Sequence, residues 1–186
     1  MTQSSLRPQD VLVLAKLLTY SGDRPPMSQM GIELSISPSE IHGALKRLEQ
    51  AHLIANDCRP VLQAVEEFLV HGVKYAFPPK HGGVTRGVPT SYAAAPLSQL
   101  IVASADLPPV WPHPEGSVRG VSLEPLYRSA PAAALRDPAL YELLALIDAM
   151  RDGRARERKL AEHELTTRIR SQADDRSQSG TARKRR

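Results

Sequence analysis

Cysteine and long apolar runs are scarce in this chain, and each scarcity excludes something. One cysteine, Cys58, in 186 residues can form neither an internal disulfide nor a thiolate metal cluster, which fits a reducing, cytoplasmic setting. No apolar stretch approaches the ~18 residues that a membrane span needs. Residues 1–6 show no basic region leading into an apolar one, so neither a membrane partner nor a secretory leader is expected. The six histidines lack ligand spacing, and there is no glycine-rich phosphate loop, nucleophile elbow or HExxH. No catalytic residue, cofactor or metal is therefore expected, and the chain does not read as an enzyme. Acidic residues are missing altogether between Glu67 and Asp106, whereas Lys74, Lys80, Arg86 and two histidines lie inside that stretch.

What is present is a globular composition, 41% hydrophobic and 24% charged. The net charge of +4 resides mostly at the end. Residues 171–186 carry Arg176, Arg183, Lys184, Arg185 and Arg186 against Asp174 and Asp175, so they hold +3 of it. The charge of the whole is accordingly poor evidence that the folded part meets a polyanion; the local acid-free stretch says more.

The hydrophobic spacing predicts a mainly α fold with one small β-hairpin, an α+β chain, in four parts. Residues 1–92 form the first domain. Pro8 suits a first helical turn, and Val11, Leu12, Leu14, Ala15 and Leu18 recur at helical spacing. A short helix follows over residues 27–34. Ser37-Pro38-Ser39-Glu40 then opens a third, with Ser37 as N-cap, Pro38 at the first position and Glu40 closing a capping box. Arg59-Pro60 starts a fourth helix to about Gly72. Val73-Lys74-Tyr75-Ala76-Phe77 alternates like a strand, residues 78–87 form a loop, and residues 88–93 return as its hairpin partner. Residues 78–138 hold 11 of the 16 prolines, and within them residues 93–136 should wrap the core in extended segments and turns, with Trp111 anchoring them. Residues 137–170 are helical, with Leu140, Leu143, Leu144, Ile147 and Met150 on one face. Residues 171–186 form a disordered basic tail.

Functional content concentrates in MSQMGIELSISPSEIHGALKRL, residues 27–48. Two short helices crossing closely need a small residue where they touch, and Gly31 supplies it. Met30, Leu34 and Ile36 fill the space beneath the turn, while Ile41, Ala44, Leu45 and Leu48 face inward from the third helix. That leaves Ser39, Gly43, Lys46 and Gln50 facing outward, flanked by His42 and Arg47. A helix that is short and polar at its start, with cations further along, can enter a major groove.

This pattern resembles the MarR-like winged helix-turn-helix regulators over residues 8–54, and loosely over 73–92. The resemblance implies DNA binding by the third helix, a hairpin wing and a homodimer. Glycine is common in the family's turn where this chain has Ser35. The wing expected from the sequence is the acid-free hairpin, whose loop offers Lys80 and Arg86 to phosphates. Helix 138–150, with residues 154–169, is the expected dimer element. The function expected is a double-stranded DNA-binding transcription regulator, a homodimeric repressor. The alternative is a protein-interaction module, an antitoxin or adaptor, that uses the same fold as scaffold and wraps a partner with its proline-rich third.

Overall fold

The computed structural model describes residues 5–102 and 106–183. It is mainly helical with a small three-stranded sheet, an α+β fold. Helices α1 (Pro8–Leu18), α2 (Met27–Leu34) and α3 (Pro38–Gln50) come first. Each begins on a proline-permitted turn or a cap. Asp10 accepts the Arg7 backbone N–H at 2.8 Å, and Glu40 and Ser37 bond reciprocally at the start of α3.

After α3 the chain makes a two-stranded ribbon of minimal length, in which Ile54 bridges Pro60 and the Val61 N–H donates to the Leu53 carbonyl at 2.9 Å. Then α4 (Leu62–Glu67), a π-helical turn (Phe68–Gly72) and α5 (Val73–Ala76) run on as one helical path. The strand expected at residues 73–77 is therefore a helix. Over five residues, alternation cannot be told from a helix with one buried face: Val73 is buried on α8 while Tyr75 points to solvent.

The sheet lies one segment later and is not a hairpin. Strand β1 (His81–Pro89) occupies the stretch expected as a loop. It pairs antiparallel with both β2 (Pro109–Pro112) and β3 (Val118–Leu123), and those two pair parallel, so each strand touches the other two. Its partners come from beyond residue 92, so the expected first domain does not close by itself. Short helices α6 (Leu97–Leu100) and α7 (Ala130–Arg136) also interrupt the proline-rich third.

Helix α8 (Pro138–Asp152) is the axis of the core. Leu140, Leu143, Leu144, Ile147 and Met150 are all buried within the chain, against α1, α5, α7 and α9. The face expected to meet a second copy is thus consumed internally. The apolar line of α9 (Ala155–Arg183), from Ala161 through Leu165 to Ile169, is buried likewise. The backbone is helical to Arg183, where an irregular tail was expected, and residues 184–186 lie outside the described residues.

Two polar clusters fix what hangs on α8. At its start, Asp137 caps the Leu140 N–H at 3.1 Å and accepts the Lys16 ammonium at 2.7 Å; Lys16 reaches Glu33 of α2 at 2.8 Å. Near its end, the fully buried Asp148 accepts hydrogen bonds from Thr90, Trp111 and Arg151 at 2.8, 2.7 and 2.6 Å. Burial pushes the Asp148 carboxyl up, against the pull of Arg151 and the two neutral donors. Trp111 thereby anchors the proline-rich segment, as its sequence context suggested. Along this helix α1–α3 are tied to the first turn, while β1 runs from Tyr141, whose hydroxyl donates to the Pro89 carbonyl at 2.6 Å, to Asp152, which His81 Nε2 meets at 2.7 Å.

Candidate nucleic-acid interface

The turn between α2 and α3 is built by local chemistry. Ser35 adopts a left-handed conformation, φ 54°, which glycine takes without a Cβ conflict. The Ile36 N–H donates to the Gly31 carbonyl at 3.0 Å. A Cβ on Gly31 would lie 2.6 Å from the Ile36 carbonyl oxygen, so no larger residue fits without moving the turn. Met30, Leu34, Ile36, Ile41, Ala44, Leu45 and Leu48 are buried, as their spacing predicts.

Burial of that face turns the opposite side of α3 outward. Ser39, His42, Lys46 and Gln50 are exposed, at intervals of three to four residues along one side of the helix, and Gly43 is half-buried beside them. Lys46 makes no ion pair among the described residues. Glu49 shares this exposed side, a negative charge the sequence reading did not weigh.

Arg47 is corrected. Its guanidinium does not flank the outward face but bonds Asp10, with Nε at 2.7 Å and Nη2 at 2.6 Å from the carboxylate oxygens. Asp10 is fully buried and the Arg47 side chain is 11% exposed. The pair, whose hydrogen bonds raise the Arg47 pKa further, occupies the Nε–Nη2 edge of the guanidinium and holds the side chain largely out of solvent. It locks the angle of α3 on α1.

Two cations that the sequence reading missed stand next to the start of α3. Arg136 donates to the Glu33 carbonyl at 3.0 Å and to Ser35 Oγ at 2.9 Å, from the end of α7. Arg128 lies over the Tyr127 ring, 5.8 Å from its centroid, and the Tyr127 hydroxyl donates to Glu40 at 3.3 Å. Arg136 forms no ion pair among the described residues, whereas Arg128 lies near enough to Glu40 for its charge to favour that carboxylate. Both are some hundred positions along the chain from the turn they adjoin, so no local signal could reveal them.

Lys80 and Arg86 belong elsewhere. Lys80 precedes β1 and pairs with Glu124 at 3.3 Å. Arg86 sits on β1, with Nε donating to the Gly116 carbonyl at 2.7 Å. The strand that follows Lys80 and carries Arg86 lies along α8, and the polar contacts of both cations are made within the sheet and its loops rather than with α2 or α3. The segment that does follow α3 directly, the ribbon at residues 53–61, ends in Asp57 and Arg59, and Arg59 is already paired with Asp57 and Asp23 at 3.4 and 3.1 Å.

Beside α2 an open cleft of about 470 Å³ is lined by Lys16, Tyr20, Ile32, Glu33, Arg136 and Asp137. Its charges neutralise one another. Burial works to raise the Glu33 carboxyl, but hydrogen bonds from Lys16, Tyr20 and Gln29 outweigh it and hold its pKa at about 2.

Comparison with known proteins returned no matching family, no matching curated protein and no matching solved structure.

Proposed function

We propose that this protein binds duplex DNA through the exposed side of α3 and acts as a transcription regulator of the winged helix-turn-helix kind, similar to MarR-like proteins. The observation that carries the reading is the state of α3. Its apolar side is packed under a tight two-helix turn, its angle is held by the Asp10–Arg47 pair, and its polar side, Ser39, His42, Lys46 and Gln50, is open to solvent. Such a helix meets the major groove with its first residues at base edges. Arg128 and Arg136 flank that end and supply charge for the phosphate backbone. Glu49 points the same way and suits an amino donor on a base rather than a phosphate.

The minimal ribbon at residues 53–61 stands where a wing follows the third helix, and it is too short and too internally paired to add much. Recognition then rests on α3, and a homodimer reading two half-sites offsets the small contact area of one copy. The competing reading, an antitoxin or adaptor that wraps a partner with its proline-rich third, loses one of its two motivating residues: Trp111 is 1% exposed and bonded to Asp148, while Tyr127 is half-buried.

Selection from a random-sequence duplex pool by the purified chain tests the proposal. Enrichment of a short motif, in one or two copies a helical turn apart, is the expected result. A pool that stays random after repeated rounds, together with no retained duplex at low salt, overturns it.

A further inference from the structure

The register of the sheet sets two cations face to face. Arg86 on β1 and Arg119 on β3 are direct partners across an antiparallel pair, where opposed Cβ atoms stand about 5 Å apart. Both residues are exposed. Like charges directly opposite one another destabilise a sheet, and a nearby carboxylate would remove that cost. Among the described residues neither arginine has one: the Arg119 side chain makes no polar contact, and the Arg86 side chain bonds only the Gly116 carbonyl. Glu115, on the loop between β2 and β3, is exposed and pairs with neither. Glu124, on the same sheet, is engaged by Lys80.

Arg86 is also set in place. Its Nε is fixed on the Gly116 carbonyl, which orients the guanidinium plane and leaves both terminal nitrogens without an acceptor among the described residues. That carbonyl cannot drift, because the loop presses on β1 so closely that a Cβ on Gly116 would lie 2.2 Å from the Gly87 carbonyl carbon. A planar, permanently charged fork held this way matches the oxygens of a phosphate group.

We propose that Arg86 and Arg119 together form a phosphate-binding site on the β1–β3 face, separate from α3, in which two guanidinium groups close on one phosphate. An anion between them replaces the missing carboxylate and converts their repulsion into binding. The site stands without the duplex reading of α3. Its phosphate comes either from a nucleic-acid backbone or from a small phosphate ester.

The test titrates inorganic phosphate into the intact protein and follows amide and arginine side-chain resonances. Saturable shifts at Arg86, Arg119 and Gly116 are expected. Arg86→Ala should weaken binding about tenfold or more, because it removes a charge-assisted fork. The double replacement Arg86→Lys with Arg119→Lys, which keeps the charge but not the fork, should also weaken it severalfold. Arg119→Glu separates this role from a structural one: an opposed Arg–Glu pair should raise the melting temperature while phosphate binding disappears. Adding duplex DNA to the phosphate-loaded protein identifies the source, since displacement marks a backbone site and its lack marks a small ester. Lys46→Ala should leave phosphate binding unaltered. Absence of shifts at Arg86 and Arg119, or equal phosphate affinity in Arg119→Glu, overturns the proposal.

Discussion

The Arg47 guanidinium holds the fully buried Asp10 carboxylate with two hydrogen bonds, 2.7 Å from Nε and 2.6 Å from Nη2, and so joins α3 to α1. Removing one partner strands the other. Arg47→Ala should cost about 3–5 kcal/mol, the range for breaking a buried pair, because Asp10 is then left charged and unpaired. Replacing both, Asp10→Leu with Arg47→Met, should recover much of that loss. Urea melts of the single and double variants check this; a single variant as stable as the parent would show that the pair is not closed in solution.

Binding and stability should separate at the outward face. Lys46→Ala should leave the melt unchanged and reduce the salt dependence of duplex binding by about one unit of slope. Arg128→Ala and Arg136→Ala should each reduce the slope likewise without altering the preferred sequence, Arg136→Ala with some loss of stability because its two hydrogen bonds to the turn go. Gln50→Ala should change the preferred sequence and leave the slope alone. Anisotropy titrations at several salt concentrations read all four, and a slope indifferent to Lys46 would remove α3 from the interface.

Acid should loosen the attachment of α2 to α1. Glu33 titrates at about 2 in the folded chain, against an ordinary value of 4.5. A depressed carboxylate contributes stability that is fully present above the unfolded value and is lost as pH falls through the folded one. The contribution therefore disappears between pH 4.5 and about 2. Glu33→Gln should be less stable at neutral pH and show a flatter acid limb over that window. Parallel acid limbs for parent and variant would contradict the arrangement.

The turn gives opposite signs at two neighbouring sites. Gly31→Ala places a methyl 2.6 Å from the Ile36 carbonyl oxygen and should destabilise by about 1–3 kcal/mol, as overpacking does. Ser35→Gly should stabilise by up to ~1 kcal/mol, because glycine adopts the left-handed conformation without the Cβ conflict. Arg136 loses a hydroxyl acceptor in that variant but keeps the Glu33 carbonyl.

These outcomes also mark how far the residues alone could be read. The α2–α3 turn was legible because everything that makes it is local: Gly31, the Ser37–Glu40 capping box, and apolar residues at helical spacing. The inward side of α8 was legible for the same reason, though not what it packs against. The sheet was not legible. His81-Gly82-Gly83 reads as a loop in isolation and becomes a strand only because segments beyond Pro108 arrive to pair with it. Arg47 looked like a surface cation because its partner lies 37 positions earlier, inside a run of leucines and valines that hides one acid. Arg128 and Arg136 reach the turn through tertiary folding alone, and nothing in their neighbourhood announces it.

Because α8 carries α1–α3 at its first turn and the sheet along its length, the protein resists being trimmed to a minimal reader. A fragment stopping near residue 92 would keep α1 but bare its flank where α8 lies, and would leave β1 with neither companion strand. Such a piece would shed the scaffold that fixes the groove-facing helix, so dissection at that boundary yields sticky, ill-formed material in place of a working module.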